Sequence, residues 1–484
     1  MKKKIELETI RKEEMKGNII RSRVQWLVEG EKPSKFFCAL EHRNYIEKNI
    51  RKVTLDNGQI ITDQKTILLE MKNFYQKLYN SKDDVLIDTN LEDLLRPFPV
   101  NKLTENESNS IEGEIKMEEL SLALKNMKNN KTPGIDGFPA EFFKVFWSKI
   151  KSFILRSINN GYKQGKMSNS FRQCIITCLP KGKKQREFLK NWRPIALLSV
   201  TYKLASSVIA SRVKLFLEKI ITNSQTGFIT GRFIGDSTRL VYDIMSFAEN
   251  NNIDGLLMLI DFEKAFDSIS WNFMYKTLTF FGFKESILKW ITLFNTDINA
   301  RILQAGYLSD DIHIKRGCRQ GDPISAYLFI ICTQIMYFLL QNNIDIHGIT
   351  IDGDEYKLTQ FADDTTIFLD GSQGSLQATL NTIEIFGNIS GLKMNTEKTK
   401  LIWIGRKKYS KEKLKTSFNL HWGNTTFTLL GIQFSVDLQI IPTINYDSAV
   451  EKAKQLLFPW KKRKLTPIGK ITVIKSFFLS KFNH

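Results

Sequence analysis

Cysteine and histidine are both scarce in this chain of 484 residues, with five of each. An odd, sparse cysteine set does not build a disulfide framework, and a reducing compartment suits it. Cys174 and Cys178 stand four apart. No second Cys/His pair stands at zinc spacing, so packed thiols are expected there rather than a metal site. Long apolar runs are missing as well. The most apolar, Tyr327 to Leu340, is interrupted by Gln334 and falls short of the ~18–20 residues that span a bilayer. It is expected to form a helix buried on all sides. The opening Met1-Lys2-Lys3-Lys4-Ile5-Glu6-Leu7-Glu8 has no apolar stretch, so neither a secretory signal nor membrane insertion is expected. Acid is in deficit: 51 Asp and Glu face 70 Lys and Arg, for a net charge of +19. That excess points to a polyanionic partner. No repeat of fixed period and no low-complexity tract is present.

What remains is the composition of a folded protein, 42% hydrophobic and 25% charged. The first residues, to about Lys16, form a highly charged helical pattern. The alternation Arg51–Leu55, Asp56-Asn57-Gly58, Gln59–Ile61 predicts a hairpin, because Asn-Gly favours the tight turn. Residues 81–110 are polar and carry Pro97 and Pro99, which predicts a linker. Three helical stripes follow: Leu204, Val208, Val213, Phe216, Ile220; then Trp271, Met274, Tyr275, Leu278, Phe281; then Leu376, Leu380, Ile383, Phe386, Ile389. Between them, Leu256–Ile260, Thr366–Leu369 and Leu401–Ile404 read as buried strands. Strands alternating with long helices predict an α+β fold, a sheet with helices on one face.

Two apolar strands run into acids. One gives Leu259-Ile260-Asp261-Phe262. The other gives Phe361-Ala362-Asp363-Asp364-Thr365 at the tip of a hairpin between Tyr356–Phe361 and Thr366–Leu369. Adjacent carboxylates repel unless a cation neutralises them. With Asp261 from a neighbouring strand they would make an oxygen-ligand site for Mg²⁺, with room for two ions flanking an attack on phosphorus. An Asp-Asp turn without function is the competing reading, and the residues by themselves leave the two nearly even.

Asp261-Phe262-Glu263-Lys264-Ala265-Phe266-Asp267 and Phe361-Ala362-Asp363-Asp364 resemble the catalytic motifs of reverse transcriptases, in particular those of LINE-type, non-LTR retrotransposons. Further motifs follow the same order. They include Lys131-Thr132-Pro133-Gly134-Ile135-Asp136-Gly137, Leu179-Pro180-Lys181, Asn191-Trp192-Arg193-Pro194-Ile195, Gln225-Thr226-Gly227-Phe228 and Gly231-Arg232. Gly317-Cys318-Arg319-Gln320-Gly321-Asp322-Pro323, Gly391-Leu392-Lys393-Met394-Asn395, Lys398-Thr399-Lys400 and Leu429-Leu430-Gly431 complete the series. Upstream, Arg21-Ser22-Arg23, Trp26-Leu27 and Glu29-Gly30-Glu31-Lys32 resemble the family's segment between endonuclease and polymerase. Departures are small: Ile324 and Ala326 stand where the family usually has Leu and often has Pro.

The resemblance implies a right-hand polymerase with fingers, palm and partial thumb behind a basic, mainly helical N-terminal extension. The expected divisions are 1–110 for the extension, 111–435 for fingers and palm, and 436–484 for a shortened thumb, without an endonuclease domain. It implies RNA-templated DNA synthesis, with an RNA template, a DNA primer or target and deoxynucleoside triphosphates as partners. Asp261, Asp363 and Asp364 would hold two Mg²⁺, helped by the carbonyl of Phe262. Lys181 and Arg193 would grip the triphosphate, Phe266 would exclude a 2′-OH, and Gln320 and Gly321 would lie beneath the nucleotide. Gln225, Arg232, Lys398, Leu430 and Gly431 would contact primer or template. The implied location is intracellular, in nucleus or cytoplasm. Lys461-Lys462-Arg463-Lys464 reads as a helix facing nucleic acid or solvent rather than a targeting run. A non-catalytic nucleic-acid-binding remnant and an intron-type maturase are the rival readings.

Overall fold

Strand-forming runs separated by more than a hundred residues come together in two sheets that share one core. The computed structural model describes residues 49–479 except 56, 81–89, 96–98, 183, 462 and 464. The charged N-terminal pattern, the Arg21–Lys32 segment and part of the 461–464 basic run therefore lie outside the described residues.

The first sheet has the order Leu358–Phe361, Asp364–Leu369, Asp254–Ile260, Lys400–Gly405, His421–Trp422. All its pairs are antiparallel except the last. All three sequence-predicted strands are present, and the acid-ended strand Asp254–Ile260 is central. The expectation of helices on one face is corrected. Leu257, Phe368, Ile402 and Ile404 pack with Val241, Ile244 and Met245 of the helix Ile234–Asn250. Their neighbours Leu256, Met258, Ile367, Leu369, Leu401 and Trp403 join the main core on the opposite face. A strand buried on both faces loses polar alternation, which is why Leu256–Ile260 is a continuous apolar run.

The second sheet runs Trp192–Leu197, Gln173–Pro180, Ile298–Gln304, Tyr307–Leu308, with Ile312–Ile314 also paired to Ile298–Gln304. Gln173–Pro180 is antiparallel to Trp192–Leu197 and parallel to Ile298–Gln304. Its burial alternates along the strand, as for a sheet with one face on the core.

Helices fill the space between. Gln373–Ser390 follows its apolar stripe, capped by Ser372, whose hydroxyl accepts from Ser375 N. The second stripe forms Trp271–Phe280; the first is split between Val200–Lys214 and Leu217–Ile220. Ser325–Gln341 is buried on nearly every side. Its Gln334 is satisfied in the core, accepting from Thr222 N at 3.2 Å and donating to Thr222 Oγ1 at 3.1 Å. Among the described residues no helix is long and apolar enough to cross a membrane. Cys174, Cys178, Cys318 and Cys332 are buried free thiols, as packing alone would have them.

The Asn-Gly hairpin forms, pairing Val53–Thr54 with Ile60–Ile61. The linker expected over 81–110 is corrected where it is described. Leu91–Leu95 and Glu105–Ser110 are short helices that bury Leu91, Leu95 and, just before the second, Leu103. Thr104 and Glu107 close a reciprocal capping box on the second helix. Lys219 Nζ donates to Glu107 Oε2 at 2.6 Å and helps hold its carboxyl down to about 2.

Candidate active cleft

The two acid-bearing segments meet because of strand register. Thr365 pairs with Ile260, which sets Asp364 and Asp261 side by side at the same end of neighbouring strands. Asp363 lies in the two-residue turn between Phe361 and Asp364. Its partner in the turn, Ala362, has φ 57°, a left-handed conformation that costs a non-glycine residue about 1 kcal/mol.

Something has to hold that turn, and Gln225 does. Its Oε1 accepts from Ala362 N at 2.8 Å and from Gly227 N at 2.9 Å, while its Nε2 donates to Ala362 O at 3.3 Å. Gly227 passes so close that a Cβ there would sit 2.6 Å from Ala362 N. Gln225 is 1% exposed. The Gln225 carboxamide, expected to contact primer or template, is here engaged with backbone and positions the aspartate turn. Arg232 is likewise turned inward, donating to the carbonyls of Ile221, Thr222 and Gln225. A guanidinium has five N–H donors in a rigid fork, suited to gathering several carbonyls of one loop.

Asp261 and Asp363 open onto a cleft of about 640 Å³ between the two sheets. Asp261, Phe262, Phe266 and Asp363 line it from the first sheet and its connections. Lys181 and Arg193 line it from the second, where Leu179 pairs with Arg193, and Gln320 and Lys398 line it too, whereas Asp364 and Gly321 stand beside it without lining it. Lys184, Lys264 and Asp267 also line it.

Charge is unevenly settled in this space. Burial raises the Asp363 carboxyl, with the Asp261 charge adding to it. Desolvation, then the charges of Asp363 and Asp261, push Asp364 up to about 6. Asp364 is exposed as a residue, so solvent screens much of that repulsion. Burial lowers Lys181 to about 8, helped by the like charges of Lys264, Lys398, Lys184 and Arg193. The cleft thus sets the buried carboxyl of Asp363, with Asp364 beside it, against crowded cations on its wall.

Asp261 already has a cation beside it: Lys398 Nζ is 2.8 Å from Oδ2. Among the described residues no three His, Cys, Asp or Glu side chains close into a metal-holding group. The acids fit a divalent cation in charge and donor type, with an ammonium standing in at Asp261; they do not form a ready-made cage.

Phe266 is stacked on Phe329, centroids 4.2 Å apart and planes 18° apart, and meets Phe228 edge-on at 6.5 Å. Gly321 has φ 109°, and a Cβ there would lie 2.7 Å from Ala196 O. Ala196 N donates to Gln320 O at 2.8 Å, so the Gln320-Gly321 loop is laid directly on the second sheet. Arg319, Tyr202, Ser206 and Asp322 form a buried polar knot under it. Leu430 and Gly431 are elsewhere, in the two-residue turn between Thr426–Leu429 and Ile432–Ser435, and do not line the cleft.

A profile of the reverse transcriptase (RNA-dependent DNA polymerase) family matches residues 179–434, more than half of the chain. The chain belongs to the reverse transcriptase family. The matched segment contains every cleft residue named above. A Xenopus laevis protein, the transposon TX1 uncharacterized 149 kDa protein, is 28% identical over 440 residues, 90% of this chain and 33% of that protein. A Pol polyprotein of a type-1 retrotransposable element R2 of Popillia japonica is 27% identical over 289 residues, 59% of this chain and 39% of its own length. The R2DM Pol polyprotein of Drosophila melanogaster is 24% identical over 338 residues, 67% of this chain and 31% of its own. The chain thus spans about a third of the length of these relatives. They place this reverse transcriptase with the non-LTR retrotransposon type.

Proposed function

We propose that this reverse transcriptase extends a primer 3′-OH on an RNA template with deoxynucleoside triphosphates, and that the cleft is where it does so. The observation that carries the reading is the convergence of Asp261 and Asp363 with Lys181 and Arg193 in one cleft. In this reading the first sheet is the palm, the second belongs to the fingers, and the helices from Ile441 begin the thumb. The boundaries 1–110, 111–435 and 436–484 are part of the proposal.

Asp261, Asp363 and Asp364, with the carbonyl of Phe262, would hold divalent metal, Mg²⁺ in two sites. When bound, such ions acidify the primer hydroxyl and stabilise the pyrophosphate as it leaves. The chain's own residues do the rest. Arg193 can take two phosphate oxygens in its planar fork, and Lys181 adds a charge that binding of the triphosphate would restore in full. Lys398 keeps Asp261 charge-balanced until substrate arrives. Phe266, braced on Phe329, presents a ring edge where a 2′-OH would crowd. Leu430 and Gly431, at a hairpin tip outside the cleft, remain assigned to the primer. The nucleus or the cytoplasm of a cell is the proposed setting.

The test is primer extension on an RNA template with Mg²⁺, beside Asp363→Asn. Wild type should extend the primer. The variant should lose extension while retaining template–primer binding, because phosphate contacts that position the duplex are made elsewhere. Extension by the variant near the wild-type rate would remove the cleft from the reaction.

A further inference from the structure

The wall of the cleft is tied to a residue that the family profile does not reach. Tyr79 ends the helix Gln64–Tyr79, well before the matched segment opens at 179. Its hydroxyl is buried and donates to Asp267 Oδ1 at 3.2 Å. The other oxygen of the same carboxylate, Oδ2, accepts from Gln320 Nε2 at 3.4 Å. Asp267 itself is 2% exposed, and both it and Gln320 line the cleft. The loop bearing Gln320 is pressed onto Asp267 along its backbone. A Cβ on Gly317 would lie 2.6 Å from Asp267 O, and Cys318 N donates to Phe266 O at 2.6 Å.

A second link runs from the same helix to the same wall. Lys264 Nζ stands over the rings of Phe74 and Tyr75 at 5.5 and 5.9 Å and donates to Trp192 O at 2.9 Å. Trp192 directly precedes Arg193. The helix therefore touches both sides of the space where a triphosphate and its base would lie.

A glutamine side chain samples many rotamers unless something holds its amide, and a carboxylate holding one N–H fixes the plane of the group. The second N–H and the carbonyl oxygen then remain for a ligand. A buried carboxylate needs donors, and Tyr79 supplies one that no cleft residue replaces.

We propose that Tyr79 and Asp267 are positioning residues that hold the Gln320 carboxamide at the nucleotide side of the cleft, making the helix Gln64–Tyr79 part of the substrate site. This rests on the reading of the cleft as the nucleotide site. Tyr79→Phe removes one hydroxyl from a buried ring and keeps its volume, so it isolates the hydrogen bond.

The experiment uses the full chain, an RNA template, a DNA primer, Mg²⁺ and dTTP. It measures single-nucleotide incorporation, dTTP binding on a dideoxy-terminated primer, and thermal melting. The proteins are wild type, Tyr79→Phe, Gln320→Ala and the double variant. Tyr79→Phe should raise KM and Kd for dTTP about 2- to 10-fold, the net worth of one hydrogen bond, with kcat within about twofold. The double variant should be no weaker than Gln320→Ala, because the hydroxyl acts through that carboxamide. Unchanged KM in Tyr79→Phe overturns the proposal, and so does full additivity in the double variant. A purely structural tyrosine would instead lower melting temperature and kcat together without this split. Wild type that neither extends the primer nor binds dTTP overturns the polymerase reading itself, and the positioning role falls with it.

Discussion

Asp267→Asn should stabilise the substrate-free protein, and by an amount that grows with pH. Burial is the main reason the Asp267 carboxyl is pushed from 3.8 up to about 6, and Lys264, Tyr79 and Lys181 only partly offset it. A raised carboxyl reverses the usual sign. Between pH 3.8 and 6 the unfolded chain has released this proton while the folded chain keeps it. The folded state then binds more protons, so its stability falls as pH rises through that window. The contribution is whole below the lower value and fully lost above the upper one. A shift of about two pH units at ~1.4 kcal/mol each gives about 3 kcal/mol. Asn carries no charge at any of these pH values, so its curve lacks this slope. Urea denaturation of both proteins at pH 4.5, 5.5, 6.5 and 7.5 isolates the effect, because all other titrations cancel in the difference. The advantage of Asp267→Asn should rise by about 2 kcal/mol from pH 4.5 to pH 7.5, because about a third of the full difference is already present at the lowest pH. Two curves that stay parallel would refute the assignment of a buried, partly uncompensated charge.

Lys181, lowered to about 8, should lose its charge above that pH, so KM for deoxynucleotides should climb toward tenfold per pH unit in alkali. Lys181→Arg should flatten that limb, since a guanidinium stays protonated; parallel profiles would dismiss Lys181 as a phosphate ligand. Phe266→Ala should lower the deoxy-to-ribonucleotide ratio of kcat/KM, and lost stacking and burial should destabilise the fold by about 2–4 kcal/mol. An unchanged ratio in a folded, active variant would leave Phe266 a packing residue only. Gly321→Ala should destabilise by about 1–3 kcal/mol, because the new methyl meets Ala196 O at a left-handed φ; a melting temperature equal to wild type would contradict that geometry.

The chemistry of this protein was largely legible in its residues, because chemistry-bearing side chains stood at the ends of apolar runs. Leu256–Ile260 followed by Asp261, and the hairpin around Asp363, were readable from hydrophobic patterning alone. Ser325–Gln341 was readable from a run too short for a membrane and too apolar for a surface. Side chains whose partners are backbone groups far along the chain were not. Nothing in Gln225 or Arg232 distinguishes a hand held out to a ligand from one closed on a distant carbonyl. Asp267 sat in plain view within a quoted motif, yet its partner Tyr79 is 188 residues away. The Thr104-x-x-Glu107 box could have been found, since that spacing marks a helix start, but the flanking prolines suggested a linker.

The central place of Asp254–Ile260 also sets a timetable. During synthesis this strand emerges with Asp261 at its end, long before either neighbour exists. Its partner on one side begins at Asp364 and on the other at Lys400. At ~5–20 residues per second, the ribosome leaves it unpartnered for on the order of 5–20 s. Through that interval a run of five bulky apolar residues has two open edges, a template for pairing with another nascent chain. The helix Ile234–Asn250 is made just beforehand and can cover one face at once. Pausing before residue 400, or a stop codon there, would leave the strand half-paired and should favour aggregates over a folded fragment.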